Sequence, residues 1–238
     1  MTTPALDQSG ASGWLRQRRL IVRDSVAVGV SAGAYGLSFG AISTTSGLSL
    51  LQTMALSALM FTGASQFALV GVLAGGGGAL SAAATASLLG ARNAFYGLRL
   101  SNILRVRGLR RLLSAQLVID ESAAMASLRE DDRQSRLAFW ATGWSVFALW
   151  NLSTLIGAVS VHAVANPASF GLDAAAPAAF LALLAPRLRD RRTWAPTGTA
   201  AVLAVLLTPV LAPGLPILAV GLLVLVVGAS TTTGPGRR

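Results

Sequence analysis

The chain of 238 residues has no cysteine and a single histidine, His162. Disulfides, thiolate nucleophiles and thiolate metal sites are therefore excluded, and one imidazole cannot form a histidine cluster. Lysine is also absent. All 19 basic residues are arginine, so the phosphate-binding loop GxxxxGK(S/T) does not occur and ATP hydrolysis by that route is excluded. No cofactor or metal site is indicated. Charge is sparse: only 12% of residues are Asp, Glu, Lys or Arg, and 9 of them are acidic.

What is present is apolar. Hydrophobic residues make up 53% of the chain, with a mean hydropathy of +0.63. Long apolar runs without strict alternation point to an all-α polytopic membrane protein rather than a barrel, because only helices or closed barrels satisfy the backbone in lipid. At about 20 residues per crossing the length suits a helical bundle of about six to eight segments. The net charge of +10 could suggest nucleic acid. The arginines fall between apolar runs, however, which is the pattern of the positive-inside rule. The expected organisation is a basic cytoplasmic N-terminal tail over 1–24, one transport domain over 25–232 and a C-terminal tail over 233–238. The polar, basic start lacks the apolar core of a signal peptide.

The first apolar run covers about 25–45 and the second about 48–75. The second is longer than a bilayer core requires, and its centre, "FTGASQF", suits a bend or an unwound turn. The third, about 79–100, contains Arg92 and Asn93. The segment 112–128 is only moderately apolar and carries Asp120 and Glu121. Runs follow at about 137–160, 171–186, 195–212 and 214–232. Arginine clusters at 16–23, 99–111, 129–136, 187–192 and 237–238, whereas the connections near 46, 75–78, 161–170 and 213–215 have none. Placing every cluster in the cytoplasm puts both termini inside. Three runs then lie between the first two clusters, where an even number of crossings is needed. One of them is therefore expected to be re-entrant or broken, and 112–128 not to cross. If every run crosses, the count is eight and 105–111 lies outside. A faint repeat relates "YGLSFGAIS" (35–43) to "WNLSTLIGAVS" (150–160), and 47–60 to 171–184. Such a repeat suits transporters built from two related halves around a midplane site.

Acidic residues are costly in hydrocarbon and usually mark a pathway, a site or a partner contact. Asp120 and Glu121 are adjacent, so on a helix they diverge by about 100° and only one easily faces a given site. A carboxylate in a poorly hydrated place can carry a proton, which would suit coupling to a proton gradient. The alternative is a short interfacial helix whose acids are solvated or paired with arginine. Arg92 either acts within the membrane or snorkels to the interface. Asp173 reads as a helix cap, with a coupling or partner contact as the alternative, and His162 as a loop residue. Trp140, Trp144 and Trp150 repeat along one helix. Trp140 and Trp144 share a face that suits anchoring or docking of a partner.

"GLSFGAISTTSGLS" followed by "SALMFTGASQFALVGVLAGG" resembles the amino-terminal signature of the AzlC family, the large subunits of branched-chain amino acid exporters. The resemblance continues in "ARNAFYGLRLSNIL", in "DES" at 120–122 and in "FGLDAAAPAAFLALLAPRLRDRR" at 170–192. It implies a multi-pass subunit of the bacterial inner membrane that exports valine, leucine and isoleucine with a small AzlD-type membrane subunit, and not an enzyme. The family commonly has Asn two residues before the Arg. Here that position is Gly90, and Asn93 follows Arg92, so either Asn93 replaces that residue or the selectivity differs.

A zwitterionic amino acid needs a cation or exposed N–H groups for its carboxylate, and carbonyls or a carboxylate for its ammonium. Its side chain needs an apolar pocket. Gly63 and Ala64 would let the backbone unwind and approach a ligand. A half-helix following that turn would aim its positive end at an anion, and Ser65 and Gln66 would add polarity. The same small residues would also serve close helix packing. Arg92 could hold the carboxylate or pair with Asp120 or Glu121, and Asn93 and Tyr96 stand nearby. A channel or facilitator for another small polar solute is the alternative function.

Overall fold

The computed structural model describes residues 5–163, 181, 185, 188 and 193–232. Among these the architecture is all-α, as expected. The helices are α1 (Ala5–Thr45), α2 (Leu50–Leu59), α3 (Ala64–Ala74), α4 (Ala79–Gly90), α5 (Arg92–Leu104), α6 (Leu109–Gln116), α7 (Asp120–Ser127), α8 (Asp132–Ala163), α9 (Trp194–Leu207) and α10 (Leu215–Thr232). Stretches of α1 (Gly13–Thr45) and α8 (Asp132–Val161) are long and apolar enough to cross a membrane.

The scaffold is α1 packed against α8. Gln134 Nε2 donates to Gln17 Oε1 (3.1 Å) and Thr142 Oγ1 to Ser25 Oγ (2.9 Å), each pair 117 residues apart. Contacts advance along both helices in the same direction, so the two run parallel. The same separation relates Gly40 to Gly157 and Leu37 to Thr154. A Cβ on Gly40 would collide with the Thr154 carbonyl oxygen, and one on Gly157 with the Leu37 carbonyl oxygen. This reciprocity is what a pseudo-two-fold axis along the helices produces, and small residues allow backbones to approach this closely. The repeat expected between 35–43 and 150–160 is thus a physical pairing. Its second part, 171–184, lies outside the described residues apart from position 181.

Residues 5–24, expected as a tail, continue α1 as helix. The reason is packing along α8: Ile21 is buried, and the Arg133 guanidinium lies 3.9 Å above the Trp14 ring. His162, expected in a loop, belongs to the last turn of α8.

Between the two long helices the chain makes two hairpins. Ser57 Oγ of α2 meets Thr154 Oγ1 at 3.2 Å. Four residues later Phe61 packs on Phe147, nearer the start of α8. The chain then reverses. Phe67 of α3 lies against Phe39 and Trp150, and the connection after α3 packs on Pro213. At about 1.5 Å per residue, α2 (10 residues) and α3 (11 residues) are each about half a bilayer long. They form a re-entrant hairpin entering from the end opposite the arginines. Helices α4 and α5 then run the full depth, interrupted at Ala91. They finish at the basic end, where Arg136 Nε donates to the Ile103 carbonyl (2.7 Å). Helix α6 climbs to mid-depth and α7 returns, bringing Arg129 within 3.9 Å of Asp24. The segment 112–128 is therefore a hairpin of two short helices and not one continuous helix. Helices α9 and α10 join at Pro213–Gly214, beside Val72 and Ser81.

Candidate functional site

The two hairpin tips and the α4–α5 break meet at one depth. The first tip depends on Gly63, whose φ of +64° is disfavoured for residues carrying a Cβ. Gln66 locks it: its Oε1 accepts from the Gly63 N–H (3.2 Å), and its Nε2 donates to the Leu56 carbonyl (2.8 Å). Gln116 in the second hairpin donates to the Ala58 carbonyl (2.7 Å). Gln66 thus adds a second donor to the Leu56 carbonyl, which also accepts the Met60 N–H, while Gln116 answers a carbonyl near the end of α2 and ties the hairpins together. In the other tip, Ser122 Oγ accepts from the Ile119 N–H (3.1 Å) and donates to the Leu117 carbonyl (2.6 Å).

Around these tips lies a cavity of about 900 Å³. Thr62, Gly63 and Ala64 contribute from the first tip, Arg92 and Tyr96 from α5, and Asp120 and Glu121 from α7. Ala27, Val28, Ser31, Ala32 and Tyr35 form one face of α1, and Phe67, Leu89 and Trp150 complete an apolar wall. Arg92 Nη2 lies 2.9 Å from Asp120 Oδ2, both side chains partly exposed at 36% and 41%. Glu121 has no ion pair among the described residues, so the lining carries one cation and two carboxylates.

Both carboxylates line the cavity, where adjacency in a helix had suggested that one would turn away. They open α7, and side chains in a first turn lean back over the helix N-terminus, which here points at the cavity. Arg92 and Tyr96 share the cavity as their spacing predicts. Ser65, Gln66 and Asn93 do not line it among the described residues. Gln66 is fully buried and spends both polar ends on the tip, and Ser65 Oγ would stand 3.3 Å from a Cβ at Gly90. Asn93 Oδ1 is buried without a hydrogen-bond partner. Asp173 lies outside the described residues. Trp150 is not interfacial: it is 5% exposed and stacks on Phe39, whereas Trp144 is 46% exposed.

Reading the sequence missed Ser31, Tyr35 and Gln116, whereas Thr62 opens the "TGASQ" turn singled out for the substrate carboxylate. Ser31 and Tyr35 are polar residues four apart in an apolar run, a face that could have been found. Gln116 carries no comparable pattern.

An all-helical membrane protein whose broken helices converge on a charged internal cavity belongs to the class of membrane transport proteins. The family comparison sharpens this. The chain belongs to the AzlC family, whose model, described as AzlC protein, matches residues 27–164. It is 30% identical over 148 residues to Inner membrane protein YgaZ of Escherichia coli (strain K12), an alignment covering 58% of this chain and 58% of that protein. The matched region thus spans less than two thirds of that relative. No solved structure matches the chain.

Proposed function

We propose that this chain is the membrane subunit of a secondary exporter of branched-chain amino acids, working with a small AzlD-type subunit. The observation that carries this reading is one cavity presenting both signs of charge beside an apolar wall. The substrate ammonium meets Glu121 and Asp120. Its carboxylate meets the opening of α3, where the Ala64 and Ser65 amides have no acceptor in the preceding turn, as helix N-termini leave them. Arg92 supports the same carboxylate when Asp120 turns to the ammonium. The aliphatic side chain rests among Val28, Ala32, Phe67 and Leu89. Gly63, Gln66, Asn93 and Tyr96 shape the site, Gln66 by holding the tip.

Charge placement supports cytoplasmic termini. The starts of α1 and α8 and the α5–α6 connection hold arginine clusters at one end of the molecule. Glu121, the unpaired carboxylate, is the proposed proton carrier, with Asp120 exchanging between Arg92 and substrate.

The experiment is efflux of preloaded labelled valine from cells expressing the chain, with and without the small subunit. Partner-dependent efflux that collapses with the proton gradient is expected. Glu121→Gln should lose the response to the gradient and, with one of the two ammonium partners gone, weaken valine exchange without abolishing it. Absence of efflux in every combination, with the protein inserted, overturns the substrate assignment.

A further inference from the structure

A second groove lies at the basic end between α5, α6 and α8, with a volume of about 380 Å³. Leu104, Leu113, Trp140 and Trp144 give it an apolar wall, and its charges are those of Arg110 and Arg136. No carboxylate lines it among the described residues. Arg136 is held by the Ile103 carbonyl and keeps Asp132 only loosely, at 3.8 Å. Arg110 is exposed and has no ion pair among the described residues. Beside it Leu109 and Leu112 are 72% and 69% exposed, and Arg105, Arg107 and Arg111 add further positive charge. Leucines exposed beside arginines where a helix enters the bilayer form the pattern of an interface with charged lipid.

We propose that this groove binds an anionic phospholipid, its phosphate on Arg110 and Arg136 and an acyl chain along Trp140, Trp144 and the leucines. Guanidinium groups hold phosphate oxygens in forked pairs, and indoles favour the headgroup level. Charge complementarity selects this occupant: an apolar protein face would cover the tryptophans but leave the Arg110 charge unanswered. The proposal does not depend on which solute is exported.

The test is native mass spectrometry of the purified chain titrated with phosphatidylglycerol, phosphatidylcholine or soluble glycerol phosphate. Wild-type protein should retain phosphatidylglycerol selectively, and glycerol phosphate hardly at all. Arg110→Gln should weaken retention about fivefold, the effect of one arginine near a charged lipid surface. Trp144→Ala should weaken it too, whereas Arg18→Gln, exposed at the same end but outside the groove, should not. Equal loss with Arg18→Gln would reduce the effect to diffuse attraction and overturn the site, as would equal retention of phosphatidylcholine. Glycerol phosphate bound as tightly as the lipid would also defeat it. So would a protein subunit cross-linking from position 144 in the membrane while the purified chain holds no lipid.

Discussion

At the scale of single residues, the cavity separates groups that hold the site from groups that face it. Gln66 belongs to the first kind. Replacing it with Ala leaves the Gly63 N–H without its partner, while the Leu56 carbonyl keeps the Met60 N–H. A buried polar group left unpaired costs about 1–3 kcal/mol, so Gln66→Ala should lower the melting temperature in detergent and abolish export together. Arg92 and Asp120 belong to the second kind. Their ion pair is partly exposed, and pairs in such settings contribute under about 1 kcal/mol. Arg92→Gln and Asp120→Asn should therefore melt near wild type yet lose export by more than about tenfold, the factor expected when about 1.4 kcal/mol of transition-state stabilisation is lost. A large fall in melting temperature with normal export in either variant would make the pair a structural brace. Arg92, Tyr96 and the acidic pair were legible in the sequence because polar residues are conspicuous in apolar runs. Gln66 was legible as important but not in its role. Which partners a carboxamide takes depends on a chain reversal that its own segment does not display.

At the scale of elements, the informative signals were breaks. "FTGASQF" announced the first tip, since a helix start packed inside the protein needs small residues and a glycine at positive φ. The 112–128 segment could be read only as too polar to cross. Its reversal at 117–119 is held by local bonds of Ser122 and by Leu117 packing against Gly143, a residue distant in sequence. The close approach of α1 and α8 was hidden in glycines that propensity counts as liabilities: Gly29, Gly33, Gly36 and Gly40 follow one another along α1. A prediction belongs to this scale. Gly40→Ala and Gly157→Ala each drive a methyl into a backbone carbonyl of the other helix. Overpacking of this kind costs about 1–3 kcal/mol, and reciprocity makes the two losses similar. Gly97→Ala, with nothing within 4 Å of its Cβ, should leave stability unchanged or slightly raised. A thermal melt series of the three variants decides the matter: if Gly40→Ala tracks Gly97→Ala, the helices are not in the contact described.

At the scale of the whole molecule, the hairpins favour the smaller of the two crossing counts that charge alone left open. Placing all arginine clusters on one side required an even number of crossings between 16–23 and 99–111. The structure supplies two, α1 and α4–α5, because α2–α3 enters and leaves by the same end. The same device at α6–α7 returns the chain to the basic end before α8. The two hairpins thus enter from opposite ends and touch through Gln116 and the Ala58 carbonyl. That contact places the unwound tip beside the acidic pair. Because the chain has no cysteine, single introduced thiols can report sidedness without background. Ser46→Cys and Gly78→Cys flank the first hairpin, and Arg107→Cys and Glu130→Cys flank the second. An impermeant thiol reagent added to intact cells should label positions 46 and 78 together, and reach 107 and 130 only after the membrane is opened. In the eight-crossing arrangement position 78 is protected and 107 is labelled from outside, because each hairpin then becomes a single span. That pattern would straighten both hairpins, and the tips that enclose the cavity would no longer exist.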